Sequence, residues 1–211
     1  MRVFLVGFGP FPGAPLNPSA VLAKELARRR RPAFAGVERT AHVFPTTYTA
    51  IDRRLPNLLA QNPDILLMFG LARRQGRLCI EMQARNVRSV LFPDAAGYRP
   101  QSGVIAAGRH GPLRASVPFA RLLDALRGCP IPVRLSRDAG RYLCNYAYWR
   151  ALRCAADNRT LVQFIHIPPL KSGSRPRRRS ARHAAWLRQL LTAAERLLVA
   201  VIAVRRHSWP R

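Results

Sequence analysis

The sequence predicts an α/β fold: a largely parallel sheet with helices on both faces. Three observations predict it. The apolar runs at residues 3–6 and 65–69 are short and unbroken, as buried strands are. Segments with helical spacing of apolar residues separate the early strands, so the first 70 residues read strand, helix, strand, helix, strand. The chain has 211 residues, 48% of them hydrophobic, which suffices for one domain with a full core and is short for two.

The elements follow in order. The first strand ends at Gly7, and residues 7–16 form a Gly/Pro-rich loop. Asn17-Pro18-Ser19 reads as a helix start, with a capping side chain and Pro in the first turn. That helix runs to about Arg30, with Val21, Leu22 and Leu26 on one face. The cations Arg28 to Arg31 suit the negative end of its dipole. Residues 37–44 read as a second strand. A helix over 50–60 carries Ile51, Leu55, Leu58 and Leu59 in spite of Pro56, and Asn62-Pro63-Asp64 turns into the third strand. Residues 77–91 hold one or two strands, 94–110 a loop, 117–126 a helix and 131–135 a strand. A helix over about 144–154 and a strand over 161–167 follow. A basic Ser/Pro-rich loop over 171–182 and a helix over about 184–204 end the chain. No internal repeat interrupts this order, and residues 1–211 read as a single domain.

Charge is the unusual feature. Lys+Arg total 36 against 10 for Asp+Glu, a formal net charge of +26. A nucleic-acid or anionic-membrane partner would suit it. Lys24 and Lys171 are the only lysines, however, and Arg-for-Lys bias with abundant Ala and Pro fits a GC-rich composition better. Aromatic residues do not interleave with the basic ones, and no zinc-finger, KH or RRM pattern is present, which argues against nucleic acid. Cys79, Cys129, Cys144 and Cys154 form no CxxC pair and no zinc spacing with His, so no metal site is expected. Free thiols, the lack of a signal-peptide pattern and a longest apolar stretch of residues 197–204 point to a cytoplasmic protein with no membrane span.

Three residues carry candidate chemistry. Cys144 opens a helical stretch, where the positive dipole end favours a thiolate; a buried, inert Cys is the alternative. His166 ends a strand just before Pro168-Pro169, and strand C-termini gather ligand sites in open α/β sheets. A structural His beside a loop is its alternative. Glu81, one of ten acids, sits in an apolar setting after Cys79-Ile80, where an ordinary salt bridge to Arg competes. Together a Cys, a His and a carboxylate can make a thiolate–imidazolium pair with an orienting acid. Their order is not that of papain-like proteins.

At these residues the sequence resembles the pyroglutamyl peptidase type I family. Four segments carry the likeness: Gly7-Phe8-Gly9-Pro10-Phe11-Pro12-Gly13 followed by Asn17-Pro18-Ser19; Gly70-Leu71-Ala72 with Ile80-Glu81 and Asn86; Ser136 to Tyr146, reading SRDAGRYLCNY; and Phe164-Ile165-His166-Ile167-Pro168. The resemblance implies a three-layer α/β/α sandwich around a mixed, mostly parallel sheet. It implies a cofactor-free cysteine exopeptidase that removes N-terminal pyroglutamate from peptides, with Glu81, Cys144 and His166 as the triad. Phe8 and Phe11 would flank the lactam ring, Gly70 and Leu71 would bind substrate, and homo-oligomers stay open.

The chain also departs from the family. Met82 stands where the family has Arg after the catalytic Glu, Arg74-Gln75 replaces Gly-Arg, and Leu91 replaces an active-site Arg. Losing that cation would cost roughly 2.7–4 kcal/mol if it acted as an oxyanion donor, and Arg85 and Arg88 are candidates to replace it. Two rival expectations follow: a catalytically impaired or re-specialised homologue of the same fold, and a basic binding module using Arg175, Arg177, Arg178, Arg179 and Arg182.

Overall fold

The computed structural model describes residues 1–11, 14–108, 111–156, 159–169 and 176–207, with backbone alone over 176–180. Strands are β1 (Arg2–Phe8), β2 (Glu38–Phe44), β3 (Ile65–Leu71), β4 (Leu78–Glu81), β5 (Gln83–Ala84), β6 (Leu113–Arg114), β7 (Val133–Ser136) and β8 (Leu161–Ile167). Helices are α1 (Pro18–Arg28), α2 (Tyr48–Leu59), α3 (Phe119–Ala125), α4 (Leu143–Cys154) and α5 (Pro176–His207).

Six strands form one sheet in the order β2-β1-β3-β8-β4-β7, and β5 pairs β6 apart from it. The pairs β1–β2, β1–β3 and β3–β8 are parallel, β4 is antiparallel to β8, and β7 lies parallel to β4. The sheet is therefore mixed, with four strands running one way and the two at one edge the other.

Burial on both faces explains the unbroken apolar runs. Successive side chains of a strand point to opposite sides. Val3 and Leu5 of β1, Ile65 and Leu67 of β3, and Ile165 and Ile167 of β8 join one core with Leu22 and Leu26 of α1, Leu122 of α3 and Leu197 and Val201 of α5. Phe4 and Val6, Leu66 and Met68, and Val162 and Phe164 join the other core with Ile51 and Leu55 of α2 and Tyr146 and Trp149 of α4. Helices α1, α3 and α5 thus cover one face and α2 and α4 the other, which gives three layers.

The local signals mostly act as expected. Asn17 caps α1, its side chain accepting from the Ser19 N–H, with Pro18 in the first turn. Pro56 sits inside α2, which begins earlier than expected behind the Thr47 cap. One boundary is corrected and one strand is added. Residues 176–182, expected as loop, are the opening turns of α5, which begins at Pro176, a residue suited to a first helical turn. Residues 171–175 of that expected loop lie outside the described residues. The short β6 pairs β5 through only two residue pairs, too few for an apolar pattern to announce it.

One close approach fixes where the first loop leaves the sheet. A Cβ on Gly7 would meet the Ser19 carbonyl and lie 2.8 Å from the Ala20 Cα. Only glycine lets the start of α1 pack this close to β1. Ser19 uses the contact: its hydroxyl accepts from the Phe8 N–H at 3.0 Å and donates to Asn17 Oδ1 at 2.8 Å. Gly7→Ala is expected to destabilise the protein by about 1–3 kcal/mol in urea unfolding, the ordinary cost of overpacking. An unchanged midpoint would contradict the packing described.

Candidate active site

The antiparallel entry of β4 brings the acid to the histidine. Register pairs Glu81 with Phe164 and Cys79 with His166, so Glu81 is the diagonal neighbour of His166 on the same face of the sheet. His166 Nδ1 lies 2.8 Å from Glu81 Oε1. Both groups are buried, Glu81 fully and His166 with 6% exposed. The Glu81 carbonyl is held in turn by the Tyr148 hydroxyl and the Gln163 amide, each donating at 2.9 Å. The chain direction at Glu81 is thereby locked from α4 and from β8.

Cys144 reaches the same point from the other side. It is the second residue of α4, whose cap, Tyr142, supplies no side-chain acceptor to the helix start. The Tyr142 hydroxyl instead donates to the Pro93 carbonyl at 2.6 Å. Asn145 anchors the turn: its amide donates to the Arg85 and Val87 carbonyls at 2.8 Å and its oxygen accepts from the Arg85 N–H at 2.9 Å. Space for the sulfur is left by Gly70. A Cβ there would lie 2.9 Å from Cys144 Sγ and 2.7 Å from the Phe164 ring.

Burial alone would push the His166 proton off. Hydrogen bonding and the charge of Cys144, followed by those of Glu81, outweigh it and raise the imidazole to about 10.

Cys144 and His166 open on a cavity of about 580 Å³ that Phe8, Phe11, Leu71 and Phe92 also line. Phe11 packs against Tyr142 with ring centroids 6.4 Å apart, and Phe8 against Phe164 at 6.2 Å. The loop bearing Phe11 is pinned at Gly9, whose carbonyl accepts from both Asn17 Nδ2 (3.0 Å) and Thr46 Oγ1 (2.9 Å).

The structure therefore gathers Phe8, Phe11, Leu71, Cys144 and His166 around one cavity, with Glu81 directly behind. Gly70 is not at its wall but behind the thiol. Leu91 is 73% exposed and does not line the cavity; its neighbours Phe92 and Pro93 do. Nor does either expected substitute cation. Arg85 pairs with Asp138, and Arg88 donates to the Ser102 carbonyl at 2.9 Å. Met82 lies outside the lining too, its backbone bonded to Ser136 and Ala115. The cations that do line the cavity are Arg73, Arg74 and Arg141. Sequence reasoning missed Tyr148, Gln163, Asn145 and Thr46. Two of these left a signal: Gln163 as an amide inside an apolar strand, and Asn145 as a member of the SRDAGRYLCNY segment.

A family model described as pyroglutamyl peptidase matches residues 1–180. The chain belongs to the pyroglutamyl peptidase family. It is 33% identical over 171 residues to the pyrrolidone-carboxylate peptidase of Thermococcus onnurineus, covering 80% of this chain and 84% of the relative. It is 28% identical over 201 residues to pyrrolidone-carboxylate peptidase 1 of Ralstonia nicotianae, covering 93% and 92%. The pyrrolidone carboxyl peptidase of Thermococcus litoralis shares its fold, with a TM-score of 0.82 at 24% identity over 98% of this chain and 96% of that one. Among the described residues no helix is long and apolar enough to cross a membrane.

The raised His166 has a consequence for stability. Its folded proton affinity exceeds the unfolded one. The stabilisation is therefore fully present below about pH 6.5 and is lost as pH rises through about 10. Denaturant unfolding of the wild type should weaken across pH 7–10, and Glu81→Gln, lacking part of that pull on the proton, should weaken less steeply. Equal slopes for the two proteins would contradict the coupling.

Proposed function

We propose that this chain is a cysteine exopeptidase that removes N-terminal pyroglutamate from peptides by a Cys144–His166–Glu81 triad. The observation that carries the reading is the opening of Cys144 and His166 on one cavity lined by Phe8 and Phe11, while Glu81 holds the far ring nitrogen at 2.8 Å. Membership of the pyroglutamyl peptidase family supports the substrate.

The chemistry then follows from the geometry. The Cys144 thiolate attacks the pyroglutamyl carbonyl carbon, and the carbonyl electron pair moves onto oxygen. The backbone N–H of Cys144 lies in the first turn of α4, which has no side-chain cap, and would bind that developing charge. His166, charged, gives its proton to the departing amine as the C–N bond breaks, leaving a thioester on Cys144. Neutral His166 next takes a proton from water, the resulting hydroxide attacks the thioester, and pyroglutamate leaves as the thiol is restored. Glu81 fixes the ring tautomer and stabilises its charged form. Phe8 and Phe11 offer the lactam ring an apolar slot.

The test is release of fluorophore from a pyroglutamyl-aminocoumarin. Wild type should release it and lose activity with iodoacetamide. Cys144→Ala should lower kcat/KM by about 10⁴-fold or more, and Glu81→Gln by up to about 10⁴-fold. Retained activity in Cys144→Ala would sink the assignment. A second reading, a slow or re-specialised homologue, is favoured by the outward exposure of Leu91, which leaves no cation at the cavity among the described residues of its loop. Folded wild type that releases nothing, and gains activity in Leu91→Arg, would select it.

A further inference from the structure

The cavity is larger than a single five-membered lactam fills, and its unfilled part is distinctly charged. Arg73 and Arg74 stand in the turn that follows β3, and Arg141 stands three residues before Cys144. The two loops flank the reacting atoms. Gly70 and Leu71 pair with His166 and Ile167, and the Ala72 N–H continues that ladder to the Ile167 carbonyl at 3.0 Å, so Arg73 and Arg74 emerge beside the end of the histidine strand. Arg141 emerges at the start of the cysteine helix. All three guanidiniums belong to exposed residues, and none has an ion-pair partner among the described residues. Asp138 is the one acid among the described lining residues, and it is paired with Arg85. Phe92, 63% exposed, adds an apolar flank to this mouth.

We propose that Arg73, Arg74 and Arg141 form a leaving-group subsite that selects pyroglutamyl peptides carrying a carboxylate on the residue released, whether as an acidic side chain or as a free C-terminus. The inference rests on the peptidase reading above, because it assigns the part of the cavity that the lactam leaves open. In that reading the scissile amine departs away from the Phe8/Phe11 slot, past His166 and Cys144, and the next residue lies between the two arginine-bearing loops. A carboxylate there meets cations whose charge is not spent elsewhere, and Arg can bind it through two parallel N–H groups. Lysine at the same position meets three like charges. The pairing is solvent-screened, so each arginine is expected to contribute a few-fold rather than orders of magnitude.

The experiment compares kcat/KM at low salt for pyroglutamyl-Glu-amide, pyroglutamyl-Ala-amide, pyroglutamyl-Lys-amide and pyroglutamyl-Ala with a free carboxylate. Both acidic substrates should exceed the neutral amide by about five-fold or more, the Lys substrate should fall below it, and the spread should shrink as salt screens the charges. If only one acidic substrate gains, that arm identifies the source of the carboxylate and the subsite stands. The triple variant Arg73→Gln/Arg74→Gln/Arg141→Gln should bring the ratios toward one. Arg74→Glu, a single exposed change, should shift preference toward the Lys substrate. Arg188→Gln on α5, across the sheet, should leave the ratios as they are, which separates a local subsite from the overall +26 charge. Equal kcat/KM for all four substrates would overturn the subsite while the peptidase reading stands. Ratios that survive the triple variant would overturn it as well. Failure to cleave any of the four would overturn both.

Discussion

A carboxylate and an imidazole taken out of water each lose several kcal/mol of solvation, and the loss is tolerable only if the two face one another in good geometry. Glu81 and His166 meet that condition at 2.8 Å, and the rest of the site is arranged around keeping them there. The parallel strands alone could not do so. The pairing needs β4 to enter the sheet against the direction of β8, because that register sets Glu81 diagonal to His166 on the face covered by α4. Tyr148 and Gln163 then hold the Glu81 carbonyl, so the backbone that carries the acid cannot shift without breaking two buried hydrogen bonds.

The sulfur is placed by a second set of constraints that is local to α4. Asn145 binds the segment after β5, Tyr142 binds the Pro93 carbonyl, and Gly70 clears the space the thiol occupies. Two independent supports, one in the sheet and one at a helix start, thus converge on the imidazole. Its raised proton affinity is the electrostatic trace of that convergence, since burial alone would have lowered it.

Much of this was legible in the chain. β8 spans the expected 161–167, and the unbroken apolar runs of β1 and β3 reflect a sheet covered on both sides. Cys144 and His166 could be singled out because each lies near the start or end of an element, and Glu81 because it is an acid in an apolar setting, but only the likeness in four segments joined the three. The supports were not legible. Tyr148 looks like any aromatic on a buried helix face, and nothing local ties it to a carbonyl 67 residues away. The outward direction of the Leu91 side chain was not legible for the same reason. A loop residue's neighbours in sequence do not reveal which of them borders a cavity, and here Phe92 and Pro93 line its mouth while Leu91 does not. The start of α5 was misplaced because Ser, Pro and Arg read as loop, although Pro is at home in a first helical turn.

If the convergence of thiol and imidazole serves acyl transfer, the sulfur must carry the acyl group during turnover. Acid quenching of the protein with a pyroglutamyl ester, followed by intact-mass and peptide mass spectrometry, reads this out. The account predicts an adduct with the mass of one pyroglutamyl acyl group on Cys144, lost on incubation with hydroxylamine and absent from Cys144→Ala. Turnover of the ester with no adduct on Cys144, or with the adduct on Cys79, Cys129 or Cys154 instead, would contradict it.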